Sequence, residues 1–171
     1  NKKSVVISRG ELVQIGGGFR VPDILRKSGA RLLEIGTSNI TTLSDYRTAL
    51  DDFSGLILKV HKSNFSTSGF TEDVSLKQLA ELAKDRGVRV VHDLGGGLMV
   101  PTVEILGYAE STVLQSVRDG AALTCFSADK LLGGSQGGVI VGKTDEIAQI
   151  KKNPLFRTMR ADKVVFAMLE E

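Results

Sequence analysis

The sequence predicts an α/β fold in which helices flank a mostly parallel β-sheet. Largely apolar runs at residues 55–60 and 121–126 are typical of strands covered on both faces, as in a parallel sheet. Between such runs lie amphipathic segments that begin at capping residues and end at glycine, which is the pattern of helices. With 171 residues, of which 42% are apolar and 25% charged, the chain is expected to form one compact unit.

The first 50 residues alternate predicted strands with predicted helices. The first helix has Pro22 in its first turn and should end at Gly29, since proline suits a helix start and glycine a helix end. Thr42 and Asp45 have the spacing of a capping box that begins the second helix. Glycines 16–18 lack the spacing of a dinucleotide-binding motif, so we expect a loop near the functional site there. Strands are expected at residues 5–7 and 31–35, and helices at 21–29 and 42–50.

The rest of the chain continues this alternation. Ser75 and Gln78 form a second predicted capping box, and Gly87 should end the helix that follows. A long glycine-rich loop is expected at residues 93–107, and Pro154 is expected to break the chain. The last strand follows its predecessor after about a dozen residues without a helical pattern, so it should be antiparallel. Strands are expected at residues 55–60, 88–92, 121–126 and 138–142, and helices at 75–87, 112–118, 144–151 and from 161 onwards.

Lys130 lies in the predicted turn just beyond the strand at residues 121–126. Ser127 precedes it, and Gly133 and Gly134 follow it and allow the backbone to approach a ligand closely. A lysine here suits covalent attachment of pyridoxal phosphate, with the Ser127 hydroxyl and backbone N–H groups available to the phosphate oxygens. A solvated lysine in a glycine-rich turn explains this stretch alone equally well.

Asp93 ends the strand before, and three glycines follow it. A carboxylate at a strand end can keep the pyridine nitrogen of pyridoxal phosphate protonated, which makes the ring an electron sink. Taken alone, Asp93 more often caps the following loop. Asp93 and Lys130 lie 37 residues apart on successive strand ends. This pair is the constellation of the aspartate-aminotransferase-like (fold type I) pyridoxal-phosphate fold.

His61 and Asn64 follow the strand at residues 55–60, one strand before Asp93. Ligands of such sheets lie at the carboxyl ends of the strands. In the pyridoxal fold a polar residue at this place commonly contacts the phenolic oxygen of the cofactor. Either side chain could do so, and a hydrogen-bonded loop residue is the equal alternative.

Composition limits the classes of function. There are 22 basic and 20 acidic residues, so the net charge of +2 gives no electrostatic case for binding DNA or other nucleic acid. Cys125 is the single cysteine, which excludes an intrachain disulfide, and its apolar surroundings favour a small buried side chain. His61 and His92 lack the spacing of a metal site. No apolar run of about 18 residues or charged leader is present, so we expect a cytoplasmic protein without a membrane span.

Three motifs in order along the chain resemble the bacterial L-seryl-tRNA(Sec) selenium transferases, or selenocysteine synthases. Three places depart from the pattern: glycine is expected where Ala128 stands, proline where Ser135 stands, and a serine within Asp-Leu-Gly-Gly-Gly at residues 93–97. The resemblance extends over essentially the whole chain. The motifs are Ser-Arg-Gly-Glu-Leu at residues 8–12, Ser-Ala-Asp-Lys-Leu-Leu-Gly-Gly at 127–134 and Arg-Thr-Met-Arg-Ala-Asp-Lys at 157–163.

This resemblance implies that residues 1–171 are the central part of a catalytic large domain. The N-terminal tRNA-binding region and the C-terminal small domain of the family would lie outside it. The implied cofactor is pyridoxal 5′-phosphate, and the implied substrates are tRNA(Sec) charged with serine and selenophosphate. The family also implies a homo-oligomer, because a second subunit contributes to the cofactor pocket.

The resemblance also implies roles for individual residues. Lys130 would carry the cofactor and remove the proton from the seryl α-carbon, and Asp129 would either relay a proton to the leaving hydroxyl or fix the turn. Arg157 and Arg160 lie three apart, which on a helical turn puts both guanidinium groups on one face, where they could bind selenophosphate. Arg9 would either bind an anion near the site or remain a surface charge.

Two alternatives remain open from the sequence. Related pyridoxal-dependent lyases that act on a small amino acid or amino sugar share the lysine loop. The chain by itself could also be an inactive core fragment that folds and self-associates, because segments that complete the family's pocket lie outside it.

Overall fold

The computed structural model describes residues 3–170, whose strands form one six-stranded sheet and one small hairpin. The strands are β1 (Ser4–Ser8), β2 (Gln14–Ile15), β3 (Phe19–Arg20), β4 (Arg31–Ile35), β5 (Ser54–Val60), β6 (Arg89–Gly95), β7 (Leu123–Ser127) and β8 (Gly138–Gly142). The large sheet has the order β4-β1-β5-β6-β7-β8, and β2 pairs with β3 in the hairpin. Neighbouring strands of the large sheet are parallel except β7 and β8, which are antiparallel.

Helices connect the parallel strands and cover the sheet. They are α1 (Val21–Lys27), α2 (Leu43–Ala49), α3 (Leu76–Arg86), α4 (Val103–Leu106), α5 (Val113–Arg118), α6 (Thr144–Lys152), α7 (Pro154–Thr158) and α8 (Lys163–Glu170). The first helix packs against β4, while α2 and α3 contact each other as well as the sheet. The carboxyl ends of β1, β5, β6 and β7 therefore meet at one edge, where parallel sheets bind ligands.

Two apolar clusters form most of the core, one on each face of the sheet. Residues adjacent in a strand point to opposite faces, so Val6 packs with one cluster and Val5 with the other. The first cluster includes Tyr46 of α2 and Leu79 of α3, and both are fully buried. The second cluster includes Val21 of α1. Burial of these apolar faces is the main free-energy term that holds the helices on the sheet.

Most of the predicted elements are confirmed, including the strand at residues 31–35 and the antiparallel last strand. Both predicted capping boxes are formed: the Thr42 and Ser75 hydroxyls each accept a hydrogen bond from the backbone N–H three residues later, and the side chains of Asp45 and Gln78 bond back. Gly87 ends α3 in the left-handed conformation, as its position predicted.

Three details of the prediction are wrong. The glycine-rich loop does not begin at Asp93, because β6 continues to Gly95 and α4 interrupts the rest of the loop. The loop predicted at glycines 16–18 is present as a 3₁₀ turn, but the two strands that it joins, β2 and β3, were missed because they are too short for an alternating pattern to reveal. Pro154 does not only break the chain: it occupies the first turn of α7, after the cap that Asn153 provides.

Candidate functional site

The ends of β6 and β7 bring Asp93 and Lys130 to the same edge of the sheet. Asp93 pairs with Cys125 of β7 in the parallel register, and its carbonyl oxygen accepts a hydrogen bond from the His61 N–H at 2.9 Å. The lysine turn is joined to the loop after β6, because the Leu131 N–H donates to the Gly96 carbonyl oxygen at 2.8 Å. The two candidate residues therefore lie in one cluster, as the sequence predicted for parallel strand ends.

Gly95 keeps open the space between the polar groups of this cluster. A Cβ placed on it would lie 3.9 Å from the Lys130 ammonium nitrogen and 3.9 Å from the Ser63 hydroxyl oxygen. Its φ of 72° also favours glycine over any residue with a side chain. Lys130 and Ser63 thus face a common space beside Gly95. Ser63 was not identified from the sequence as a site residue.

Backbone hydrogen bonds hold the lysine turn in place. The Ala128 N–H donates to Gly137 O and the Gly134 N–H donates to Ala128 O, both at 2.8 Å. Ser127 is the last residue of β7, and Ala128 is fully buried. Asp129 and Lys130 follow it at the exposed tip. The strand end is therefore rigidly anchored, while the carboxylate and the ammonium remain free to contact a ligand.

The charge state of Asp93 depends on its burial and on the charged side chains nearby. Burial raises the pKa of its carboxyl group, and the nearby positive charges of Lys130 and His61 oppose this shift. Burial, together with the Asp93 charge, also raises the pKa of the Cys125 thiol to about 11. No hydrogen bond reaches the Asp93 carboxylate from the residues that the structure describes. A desolvated carboxylate in this state would be stabilised by a cationic ligand.

His61 and Asn64 both lie near the cluster, but their side chains already have partners. His61 Nε2 lies 3.0 Å from Glu110 Oε2, in the loop that follows β6. The Asn64 side-chain amide donates to the Gln14 carbonyl oxygen at 3.2 Å. His61 is the closer of the two to the candidate chemistry, because its backbone bonds to Asp93 and its charge acts on the Asp93 carboxyl. Glu110 was not identified from the sequence.

Arg9 lies in the 3₁₀ turn after β1, and its guanidinium group faces the outer strand of the sheet. It donates to the Gly36 carbonyl oxygen, and its Nε lies 3.8 Å from a Glu34 carboxylate oxygen. Half of the Arg9 side chain is exposed. The arrangement pairs Arg9 with β4 and the turn after it, so it supports the surface-charge alternative for this residue.

The geometry expected for Arg157 and Arg160 is wrong. Helix α7 ends at Thr158 and Met159 follows it as the cap, so Arg160 lies beyond the helix and does not share a turn with Arg157. The short helix ends because the capping residue leaves helical geometry, which a spacing of three cannot reveal. Both arginines are exposed, and neither forms an ion pair within residues 3–170.

His92 is buried on the sheet face opposite to Asp93, and its protonation state follows from its contacts. The Ser116 hydroxyl donates to the Thr112 carbonyl oxygen at 2.9 Å, so it must accept from His92 Nδ1, also at 2.9 Å. The neutral ring therefore carries its proton on Nδ1. Burial, with help from the charges of His61 and Lys59, lowers the pKa of His92 to about 4.

This burial predicts a pH-dependent loss of stability. Below pH 6.5 the unfolded chain binds a proton at His92 that the folded chain excludes until about pH 4, so stability should fall as the pH falls through this window. From pH 7 to pH 5 the loss attributable to His92 should be about 2 kcal/mol. Urea unfolding of the complete protein at both pH values, compared with the His92→Gln variant, measures it. Equal pH dependence in the two proteins would contradict the assignment.

A buried ion pair that the sequence did not reveal lies at the same sheet edge. Glu11 is fully buried, and its carboxylate accepts from the Lys59 ammonium at 2.6 Å and from the Val60 N–H at 2.8 Å. Lys59 also donates to Asp73 at 2.7 Å, and Lys62 lies 3.5 Å from the same carboxylate. Lys59, Asp73 and His92 line a cavity of about 420 Å³.

The cluster suits pyridoxal phosphate better than a metal ion. It offers the Lys130 ammonium and the Ser63 hydroxyl beside the space that Gly95 leaves open, and a desolvated carboxylate at Asp93 on which the Lys130 charge acts. A primary amine for the aldehyde and an acid for the pyridine nitrogen are the two groups that this cofactor requires. Within residues 3–170, no three His, Cys, Asp or Glu side chains come together as a metal would need.

Across residues 3–170, none of the helices has the length and apolar character that crossing a bilayer requires.

Comparison with protein families identifies one family model that matches the whole chain, residues 1–171, and is described as SelA: L-seryl-tRNA selenium transferase. The L-seryl-tRNA(Sec) selenium transferase of Haemophilus ducreyi is 49% identical over 168 residues, which is 98% of this chain and 36% of that protein. The protein of the same name from Sulfurimonas denitrificans is 46% identical over 170 residues, covering 99% of this chain and 38% of that protein. The chain thus spans little more than a third of the length of these relatives.

Solved structures resemble the chain in fold. D-Glucosaminate-6-phosphate ammonia-lyase superposes with a TM-score of 0.75 at 21% identity, covering 98% of this chain and 42% of that one. A double mutant of Thermus thermophilus aspartate aminotransferase superposes with a TM-score of 0.66 at 19% identity, again over 98% and 42%. At such identities the likeness concerns the fold alone. It confirms the predicted aspartate-aminotransferase-like architecture.

Proposed function

Because this chain belongs to the L-seryl-tRNA selenium transferase family, we propose that it is the central part of an enzyme that converts seryl-tRNA(Sec) to selenocysteinyl-tRNA(Sec) with pyridoxal phosphate as cofactor. The observation that carries the proposal is that the Lys130 ammonium faces the space beside Gly95 and acts electrostatically on the buried carboxylate of Asp93, on the neighbouring strand end. Family membership supplies the reaction, and this cluster supplies residues able to perform it. Residues 1–171 would form one unit of the catalytic large domain.

In this proposal the cofactor, when bound, supplies an electron sink that stabilises negative charge on the substrate α-carbon. Asp93 holds the proton on the pyridine nitrogen, because a carboxylate that burial destabilises gains most from a cationic partner. The Ser127 hydroxyl would bind phosphate oxygens, together with those backbone N–H groups of the lysine turn that are not already paired within it. Ser63 and His61 complete the wall of the site on the side of β5.

Lys130 moves the protons in this proposal. Its amine would hold the cofactor through the aldehyde group, would accept the proton from the seryl α-carbon once it is free, and would return a proton there after selenium has bonded. The β-hydroxyl leaves as water, and selenium bonds to the β-carbon in its place. Asp129, next to Lys130 at the exposed tip, would either protonate the leaving hydroxyl or only fix the turn. Water then accepts the phosphoryl group, so selenophosphate ends as inorganic phosphate.

Arg157 and Arg160 are the proposed selenophosphate ligands. Guanidinium groups bind tetrahedral anions through pairs of N–H donors, and both side chains are exposed and unpaired within the described part of the chain. We propose further that tRNA(Sec) binds through parts of the protein outside this chain, that a homo-oligomer completes the site, and that the protein works in the cytoplasm. The family match does not favour a lyase acting on a small amino acid or amino sugar.

A reconstituted assay tests this proposal. The complete protein should convert seryl-tRNA(Sec) to selenocysteinyl-tRNA(Sec) only when pyridoxal phosphate and selenophosphate are both present. Replacing Arg157 and Arg160 together by Gln should lower the rate at least about tenfold at limiting selenophosphate, because two charged hydrogen-bonding sites are lost. Arg118→Gln on α5 is the matched control. Turnover of a small phosphorylated amino sugar without any tRNA would instead favour the lyase, and absence of both activities would overturn the transferase.

A further inference from the structure

The proposed reaction does not use the buried carboxylate of Glu11. It lies in the 3₁₀ turn after β1 with no exposed surface, and it is separated by 48 residues from its partner Lys59 on β5. Both carboxylate oxygens accept hydrogen bonds, one from the Lys59 ammonium and one from the Val60 N–H. A protonated acid would lose one of these acceptors, so the contacts fit the ionised form.

Burying the ion pair of Glu11 and Lys59 costs free energy, and the nearby charges and hydrogen bonds offset part of that cost. Burial raises the pKa of Glu11, and the Lys59 charge opposes the shift. For Lys59, burial lowers the pKa but the charges of Glu11 and Asp73 outweigh it and leave the pKa raised. Buried ion pairs add little to stability compared with apolar side chains of similar size. The pair is therefore better explained by a role in positioning neighbouring residues than by a contribution to the free energy of unfolding.

The contacts of Glu11 lead directly to the candidate site. Val60, whose N–H it binds, pairs with Asp93 in the sheet register. The next residue, His61, donates its N–H to the Asp93 carbonyl oxygen at 2.9 Å, and Ser63 donates to His61 O at 3.0 Å. The Ser63 hydroxyl then faces Lys130 across the space beside Gly95. Glu11 thus binds Val60, the residue just before the segment at residues 61–64.

Asp73 gives this segment a second point of attachment. Its carboxylate lies 3.5 Å from the Lys62 ammonium, just before α3 begins, and it also accepts from Lys59 at 2.7 Å. The Lys62 contact depends on neither Glu11 nor Lys59. The segment itself contains no regular secondary structure, so these contacts replace the hydrogen bonds that a strand or helix would provide.

We propose that Glu11 is a positioning residue that holds residues 61–64 against the Asp93 and Lys130 cluster. It acts through the Val60 N–H, and its ion pair with Lys59 keeps the carboxylate ionised and oriented. The inference rests on the proposed function only in so far as the segment lines a cofactor site. The position of the segment itself can be measured without substrate.

The test uses two charge-neutral double variants of the complete protein. In Glu11→Gln with Lys59→Met, the amide oxygen still accepts from the Val60 N–H. In Glu11→Leu with Lys59→Met, no acceptor remains and the volume is similar. Hydrogen exchange of the His61 and Ser63 amides and the dissociation constant of pyridoxal phosphate are measured in both. Asp23→Leu with Arg26→Met, which removes an exposed ion pair on α1, is the matched control.

The Leu variant should exchange the His61 and Ser63 amides at least tenfold faster and bind pyridoxal phosphate about tenfold more weakly. The Gln variant and the control should stay within about twofold of the parent protein. Unchanged exchange in the Leu variant would overturn the proposal, as would equal acceleration across the whole sheet, since that indicates loss of stability only. If the Leu variant does not fold, the single variant Glu11→Ser provides the same test. Its hydroxyl is too short to reach the Val60 N–H, and Lys59 keeps its ion pair with Asp73.

These readouts separate the two proposals. Exchange and cofactor binding require neither tRNA nor selenium. If transferase activity fails while the Leu variant loosens residues 61–64, the positioning role stands and the proposed reaction does not. If the reaction is found but the Leu variant behaves like its parent, the positioning role is wrong.

Discussion

Replacing Lys130 by alanine in the complete protein is expected to abolish covalent attachment of pyridoxal phosphate and to lower turnover by roughly 10²–10⁴-fold, the range for loss of a positioned acid–base group. The ammonium faces the space beside Gly95, and its turn is anchored by the Gly96 carbonyl. No second lysine among the described residues shares that position. The measurement is borohydride reduction in the presence of the cofactor, followed by mass mapping of the labelled peptide.

Lys143→Ala is the matched control, because this lysine is exposed just after β8, at the opposite edge of the sheet, where Gly142 pairs with Leu123 at the start of β7. It should keep both the label and the activity. A label confined to Lys130 in the parent protein would establish the attachment site. A label elsewhere, or none at saturating cofactor, would contradict the pyridoxal assignment itself.

Replacing Asp93 by asparagine should lower turnover by about 100-fold, which corresponds to about 3 kcal/mol. Burial disfavours the Asp93 carboxylate, and a protonated pyridine nitrogen beside it would restore the charged form. Asparagine keeps the shape but cannot hold that proton, so the ring would accept electrons less well. Turnover at saturating cofactor is the measurement.

Asp85→Asn on the exposed face of α3 serves as the control and should leave turnover unchanged. The Asn variant should still bind the cofactor covalently, because Lys130 remains. Turnover within threefold of the parent protein would show that Asp93 does not contact the ring nitrogen.

The sequence predicted those features that are encoded within a few residues. Thr42 and Ser75 begin helices through contacts three residues away, which spacing reveals directly. Asp93 and Lys130 could be predicted to meet because parallel strands that follow each other through a helix usually lie side by side. Their meeting depends on topology alone, and no side-chain detail was needed.

Other site features depend on partners far along the chain. Glu11 meets Lys59 because β1 lies between β4 and β5, an order that hydrophobic patterns do not determine. His61 meets Glu110 only after the loop beyond β6 folds back over the strand ends. Lys59 lies within an apolar run, so the pattern predicted a strand there but not the ion pair that its side chain forms. Patterns indicate which face a residue lies on, but not which partner it finds there.

The antiparallel pairing of β7 with β8 has a consequence for the order of folding. Ser127 pairs with Gly138, so the lysine turn closes between neighbouring strands, whereas Ser4 pairs with Ser54 only after a long loop closes. Local pairs of strands form in about 1–10 μs, while distant pairings form more slowly because loop closure costs entropy. The turn that contains Lys130 should therefore form before the ends of the other strands come together around it. Cofactor binding should then be a late event that follows assembly of the sheet.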